Sequence, residues 1–461
     1  MINKISLSLI ISIFIILYNF NTINADADIK ILKNVEVESD FPKGINFRIE
    51  TYDNLKIKSI AVRYKLGQQN TSIYQYLDRD DSDKNNWNLY LRTNSLDKYI
   101  PPGTLINYNF EITFISNNVH KSNSNIFIYN DPRFKWEDIS NNMINVSYYG
   151  PVKSRAQLVL DTIVETIDRM SPLLGITISE PIRVTMYNNI PDMVIGLPPS
   201  STTVRTQLVT QGQAFPDLGV LLVLGNSSSV IGTSSHEITH ILNHRAADSV
   251  FRKLPSWLDE GLAEYGNITQ STTYENALNY AIDNDLIIPI TLQNTLPGDA
   301  DQIIIFYGQA MSIVNYMIDN YGEEKLRDLL TNLKTGLNID DALLNAYGFN
   351  RNELENKWRK SLGIEEYISS SNISSLPTAI PIPTIKPYTL NNMSSNNSNE
   401  NNKTNLKKQL KNTENNLVKE NSNKTSGCSL NVLNNNREYS IVLLALIPIF
   451  FLLKSNKGIK K

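Results

Sequence analysis

Apolar and polar positions alternate along the first part of the chain. Ile45–Glu50, Leu55–Leu66, Trp87–Arg92, Ile106–Ile115 and Ile126–Tyr129 each repeat with period two. That period turns one face of a strand inward and the other to water. Turn-forming clusters separate the runs, notably Asp80-Asp81-Ser82-Asp83 and Pro101-Pro102-Gly103. Several short strands in about 100 residues predict an Ig-like or fibronectin-like β-sandwich over residues 28–130. Lys135 lies in the junction Asp131–Trp136, and beyond it the period changes. Ala156, Val159, Leu160, Ile163, Val164 and Ile167 recur at helical spacing, predicting an amphipathic helix that ends near Pro172. Ile182–Met186 reads as a strand, and Gly219–Gly225 frames a continuous apolar run, the pattern of a buried strand. Helical patterns follow at Tyr274–Asp283, Tyr307–Tyr321, Glu323–Leu333, Asp340–Tyr347 and Arg351–Leu362. The expected class is α+β, with a second domain of mixed sheet and helices over residues 135–362.

The two ends read differently. Lys4 precedes an apolar run from Ile5 to Leu17, and Ala25-Asp26-Ala27 offers a cleavage site, so residues 1–25 are expected to be a secretory signal peptide. An uncleaved anchor is the alternative. Residues 363–437 are rich in Ser, Asn, Pro, Thr and Lys with few large apolar side chains, a composition expected to stay disordered. Some 70 residues of such coil span about 45–50 Å. Residues 439–453 are apolar and residues 454–461 are basic, predicting a single transmembrane helix with a cytoplasmic tail. Fifteen helical residues cover only about 22 Å of a core of about 30 Å, so this anchor is short. Ser426-Gly427-Cys428 weakly resembles bacterial carboxy-terminal sorting tails, in which the tail is processed and the Cys lipidated. A plain membrane tail with an incidental Cys is the simpler reading. Either way the bulk of the protein is expected at the cell surface, outside the membrane.

Composition narrows the class further. The formal net charge is −3 and no long basic block precedes residue 400, so nothing points to nucleic acid. The one cysteine, Cys428, excludes an intramolecular disulfide, and stability must come from packed cores. Asn-x-(Ser/Thr) sequons at Asn70, Asn145, Asn226 and Asn267 carry no glycosylation signal in so Asn-rich a chain.

The chemistry concentrates in one stretch. The chain has four histidines, and His236, His240 and His244 fall within nine residues. His236-Glu237-Ile238-Thr239-His240 puts two imidazoles one helical turn apart on one face, the spacing a single Zn²⁺ can bridge. Glu237 stands beside them as a candidate general base. A chance His-Glu-x-x-His in a chain of this length is on the order of a few in a thousand. Ser234-Ser235-His236-Glu237 also fits a helix capping box, but that reading leaves the histidine pair unexplained. A catalytic zinc takes three protein ligands and leaves one position for water. The position six beyond His240 is Ala246, so a third histidine is not supplied there. Pro255-Ser256-Trp257 looks like the start of a second helix, on which Glu260 and Glu264 are four apart and both able to face the first.

At this point the residues resemble the gluzincin, or thermolysin-like, metallopeptidases. The likeness is closer to bacterial peptidase MA-like domains, which carry Trp-Leu-x-Glu-Gly-Leu-Ala-Glu-Tyr after the histidine motif, matched by Trp257–Tyr265, and a Tyr-x-Gln-Ala helix, matched by Tyr307–Ala310. The likeness covers roughly Trp136 to Leu362. It implies that Glu260 is the third ligand of one Zn²⁺ per chain, that Glu264 holds a ligand imidazole by its other nitrogen, and that Tyr307 supports the oxyanion. Asp259 is the alternative to Glu264. It also implies an edge strand that pairs with the substrate backbone, either Val220–Leu224 or the stretch near Gln211–Phe215. His244, one turn further on, is expected to be exposed or in the outer shell. Lone His120 is expected to face solvent from a loop, and Tyr265 to be core.

The expected function is a membrane-tethered extracellular zinc peptidase, endo- or exo-acting, in which Glu237 draws a proton from water as it attacks a peptide carbonyl. The alternative is a non-catalytic cell-surface binding or adhesion protein on the same scaffold. An intact Glu237 weighs against that alternative, since a binding module has no need of a general base.

Overall fold

The computed structural model describes residues 31–53, 55–95, 97–199, 208–269, 272–297 and 300–368, together with strand Ser429–Val432. The expected signal segment 1–25, the apolar run 439–453 and the basic tail 454–461 lie outside the described residues. Among the described residues no helix is long and apolar enough to cross a membrane. The chain divides into two compact units, residues 1–136 with 195–199, and residues 137–194 with 200–461.

The first unit is built of antiparallel strands. β1 (Leu32–Asp40), β2 (Gly44–Thr51), β5 (Asp78–Arg79) and β6 (Asn86–Arg92) form one sheet in the order β1-β2-β6-β5. β3 (Ile57–Leu66), β4 (Ile73–Tyr76), β7 (Thr104–Phe114) and β8 (Val119–Lys121) form the other in the order β4-β3-β7-β8, with β9 (Asn125–Tyr129) also on β7. Period two is visible in the burial of β7, where alternate residues from Thr104 to Ile112 are buried. Phe47 of β2 meets Tyr108 and Phe110 of β7 edge-on, with ring centroids 5.6 and 6.5 Å apart, so the buried faces of the two sheets pack on each other. The strands without a sequence signal (β1, β4, β5 and β8) lie at or near sheet edges and expose most of their residues. His120 is exposed as expected, though it sits in β8 rather than in a loop.

The second unit pairs a mixed sheet with helices. Its strands run in the order β10 (Trp136–Asn141), β11 (Ile144–Tyr149), β12 (Ile182–Tyr187), β14 (Val220–Leu224), β13 (Leu208–Phe215), β15 (Ser429–Val432). β11, β12 and β14 are parallel, whereas β13 runs antiparallel to β14. Every residue of β14 is buried, as its unbroken apolar run requires of a strand covered on both faces. β15 falls inside the stretch whose average composition predicts no structure, and its four residues pair with β13. Crossing from β11 to β12 is α1 (Lys153–Leu174), which buries Ala156, Val159, Leu160 and Ile163 among sheet residues Val146, Val184 and Val223. Pro172 lies inside its last turn, and the helix stops at Gly175, whose φ of 70° is left-handed.

The remaining helices are α2 (Ile190–Ile195), α3 (Val230–Ala247), α4 (Ser256–Gly266), α5 (Thr272–Asp283), α6 (Ala300–Lys334), α7 (Ile339–Tyr347) and α8 (Arg351–Ser361). The two helical patterns around residue 322 belong to one run, α6, broken only at Gly322. Trp257, Leu258 and Leu262 of α4 pack with Phe306, Ala310 and Val314 of α6 in the larger apolar core, and Tyr265 lies against the same core. A Cβ on Gly261 would fall on the Ala310 carbonyl and within 2.7 Å of Val314 Cγ2, so a glycine there lets α4 lie flat on α6. That contact fixes which face of α4 looks at α3.

Candidate metal centre and active site

Helix α3 begins at Val230, so Ser234 and Glu237 lie within the helix and the capping-box reading of that pair is excluded. The helix is buried almost all round from Gly232 to Ala247, although its sequence there is polar. Local hydrogen bonds absorb part of that polarity: Thr239 Oγ1 donates to the Ser235 carbonyl at 2.7 Å, and Ser235 Oγ to the Gly232 carbonyl at 3.0 Å. The rest converges on α4.

His236, His240 and Glu260 meet there. The two Nε2 atoms are 3.1 Å apart, and Glu260 Oε2 lies 3.4 Å from each. Ligands about 2.05 Å from a tetrahedral Zn²⁺ stand about 3.3 Å apart, so this triangle has the edge lengths of three of the four tetrahedral corners. Each of the three residues is at most 2% exposed. Beyond those two ring nitrogens Glu260 Oε2 has no hydrogen-bond partner among the described residues, an arrangement that suits a bound cation. The residues present therefore fit a zinc ion.

Each imidazole is also held from behind. Glu264 Oε1 lies 2.8 Å from His236 Nδ1, and Asp259 Oδ1 lies 3.0 Å from His240 Nδ1. Sequence reasoning set Asp259 against Glu264 as alternatives, but the helix gives each carboxylate its own ring. Asn243, one turn after His240, donates from Nδ2 to Asp259 Oδ1 at 2.9 Å and to the Asp259 carbonyl at 3.1 Å. Its place on the ligand face of α3 is the signal that could have found it. His244 does not reach the triangle. Its Nδ1 pairs with Asp248 and its Nε2 lies 3.8 Å from Asp259 Oδ2. A second grouping of Asp217, His244 and Asp248 already has a cation, since Lys253 Nζ lies 2.8 Å from Asp217 Oδ2 and 3.7 Å from Asp248 Oδ2.

The electrostatics follow from burial working against charge. Burial acts to lower the His236 pKa, but the carboxylates of Glu264 and Glu260 outweigh it and raise the value to about 10. His240 is raised well above its ordinary value, where burial is opposed by Asp259 and Glu260. Burial acts to raise Asp259 and Glu260, and the adjacent histidines pull both below the usual carboxylate range. The adjacent carboxylates thus favour the protonated form of each imidazole, and the imidazoles favour the ionised form of Asp259 and Glu260.

Glu237 is fully buried, one residue after His236. Strand β13 runs directly against it: a Cβ on Gly212 would lie 2.6 Å from Glu237 Cγ and 3.0 Å from Glu237 Oε1. Only glycine allows that approach, and no pattern in the sequence marked it. Tyr307 of α6 presents its buried ring edge-on to His236, with centroids 6.0 Å apart. Tyr274 of α5, also unmarked, stacks at a tilt on Tyr307 at 5.4 Å. Burial first, then the charges of Glu264 and Glu260, push the Tyr274 phenol up and keep it protonated.

Residues 162–363 match the family model described as the Peptidase MA superfamily. The curated proteins contain no match. Among solved structures, a bromine derivative of BhCBM56 is similar over 22% of this chain and 92% of that one, at 6% identity and a TM-score of 0.17. BC0361, a polysaccharide deacetylase from Bacillus cereus, is similar over 36% of this chain and 58% of its own, at 6% identity and a TM-score of 0.18. Scores that low give neither likeness weight for fold or function. The family match takes in α3, α4, α5 and α6, the helices that bring His236, His240, Glu260 and Tyr307 together, and it supports placing this segment of the chain among peptidases of the gluzincin-like clan.

Proposed function

We propose that the protein is a zinc-dependent peptidase that hydrolyses peptide bonds in peptide or protein substrates. The observation that carries this reading is the buried triangle of two Nε2 atoms and one carboxylate oxygen, with edges of 3.1, 3.4 and 3.4 Å. Zn²⁺ held by His236, His240 and Glu260 would polarise the scissile carbonyl and lower the pKa of a neighbouring water. Glu237 accepts a proton from the attacking water and delivers it to the leaving amine. Glu264 and Asp259 fix the tautomer of their imidazoles, leaving Nε2 of each ring free to act as a ligand. The Tyr307 hydroxyl donates to the oxyanion, a contact worth on the order of 3–4 kcal/mol of barrier. β13 offers its edge to the substrate backbone, and Gly212 keeps that strand close to the base.

The β-rich first unit is assigned as an Ig-like or fibronectin-like sandwich. Residues 1–25 direct secretion, and the apolar run 439–453 tethers the enzyme with its catalytic unit outside the cell. The test is metal analysis combined with cleavage of unstructured casein by wild type and Glu237→Gln. One zinc per chain is expected in both proteins, with cleavage by the variant lower by about 10²–10⁴-fold. Equal cleavage by the two proteins would overturn the assignment.

A further inference from the structure

We propose that the chain's own segment Ser429–Val432 occupies the β13 edge as an internal competitor of substrate. The pairing is antiparallel, with Leu208 opposite Val432, Val209 opposite Asn431, Thr210 opposite Leu430 and Gly212 opposite Ser429. The register shifts between Thr210 and Gly212. β14 takes the other side of β13, so the edge met by β15 is the one an added strand must use. Gly212 abuts Glu237, and the β15 backbone also approaches α3. The segment therefore ends beside the general base, along the strand that lines it.

A sheet edge offers one row of backbone N–H and C=O groups, and an extended peptide adds to it by filling that row. Two strands cannot fill it together. Docking of Ser429–Val432 and docking of a substrate on β13 are mutually exclusive, whatever the side chains. Ser, Leu, Asn and Val carry no charge, so nothing in the segment opposes entry beside the buried carboxylates. Being part of the same chain, the segment competes at an effective concentration fixed by its tether and independent of how dilute the protein is. The word competitor rests on the peptidase reading; the docking rests on strand pairing alone.

The experiment compares the full chain with Leu430→Pro/Asn431→Pro, which removes two backbone donors from β15. Hydrogen exchange of the β13 amides that point away from β14 is expected to be about tenfold faster in the variant. With casein as substrate, KM is expected to fall about threefold or more while kcat stays the same, because saturating substrate displaces the segment in wild type. A synthetic peptide spanning Ser426–Leu433 is expected to restore the wild-type KM when added to the variant, and a scrambled peptide is not. Equal β13 exchange in the two proteins overturns the docking. Faster exchange with an unchanged KM overturns the competition. If neither protein cleaves casein with zinc bound, the peptidase reading fails, and the exchange comparison still decides the docking.

Discussion

Both compact units bury apolar cores, but they differ in the charged groups they bury beside them. In the first, the interior is Ile45, Phe47, Ile60, Val62, Phe110 and Ile112, and the only buried carboxylate among its described residues, Asp131, is paired with Arg133 at 2.6 Å. In the second, two neighbouring helices bury His236, His240, Asp259, Glu260 and Glu264 in mutual contact, with Glu237 buried on the same helix as the histidines. Apolar burial stabilises at roughly 25 cal/mol per Å², whereas a buried ionic cluster is often no more stable than an apolar replacement of the same volume. The first interior explains itself by folding. The second does not, and the cation proposed for the triangle would supply the missing reason.

The largest effect expected from this contrast is on the apolar side. Phe47→Ala should destabilise the first unit by about 3–5 kcal/mol, through lost burial and the cavity left between its sheets. Denaturant unfolding followed alongside zinc content reads both quantities. Zinc stoichiometry is expected to be unchanged, and loss of zinc in step with stability would break the division of labour between the two interiors.

Next comes the charge balance of the polar interior. The carboxylates beside them raise both His236 and His240, so Zn²⁺ is expected to displace a proton from each imidazole. Binding near pH 7 should then release about two protons per zinc, so affinity rises by about 2.7 kcal/mol per pH unit. Calorimetry in buffers of different ionisation enthalpy measures the release directly. The sign for the metal-free protein is opposite. His236 titrates at about 10 when folded against an ordinary 6.5, so the stability it contributes is complete below about pH 6.5 and is lost as pH rises through about 10. Release of less than one proton would mean that the histidines are neutral before metal arrives.

How much of this was legible beforehand follows the same divide. The apolar interiors could be read, because period two in β2, β3, β6 and β7 and the unbroken run of β14 report burial directly. The pairing of His236 with His240 could be read from their spacing, and Glu260 came only through the resemblance to gluzincins; the structure brings the three side chains together. What stayed hidden depends on contacts between elements. Gly212 matters only because β13 passes against Glu237, and β13 itself has no apolar alternation over Thr210–Gln213 to announce it. Tyr274 matters only because α5 packs beside α6. Ser429–Val432 is a strand only where β13 offers an edge, and four residues inside a polar tract carry no periodic signal of their own.

The smallest effect sharpens the contrast within the polar interior itself. Asp259→Asn keeps an oxygen for Asn243 Nδ2 but removes the charge behind His240, and Glu264→Gln does the same behind His236. Each is expected to weaken zinc binding by about 10–100-fold, measured by competition with a chelator of known affinity, while Phe47→Ala leaves that affinity alone. The geometry assigns one carboxylate to each ring, at 3.0 Å for Asp259 and 2.8 Å for Glu264. Two independent supports should give a double variant whose loss is the sum of the single losses to within about 0.5 kcal/mol. A double variant no worse than either single one would mean that the two carboxylates hold the site as one unit, and that the ring-by-ring pairing does not describe how the metal is held.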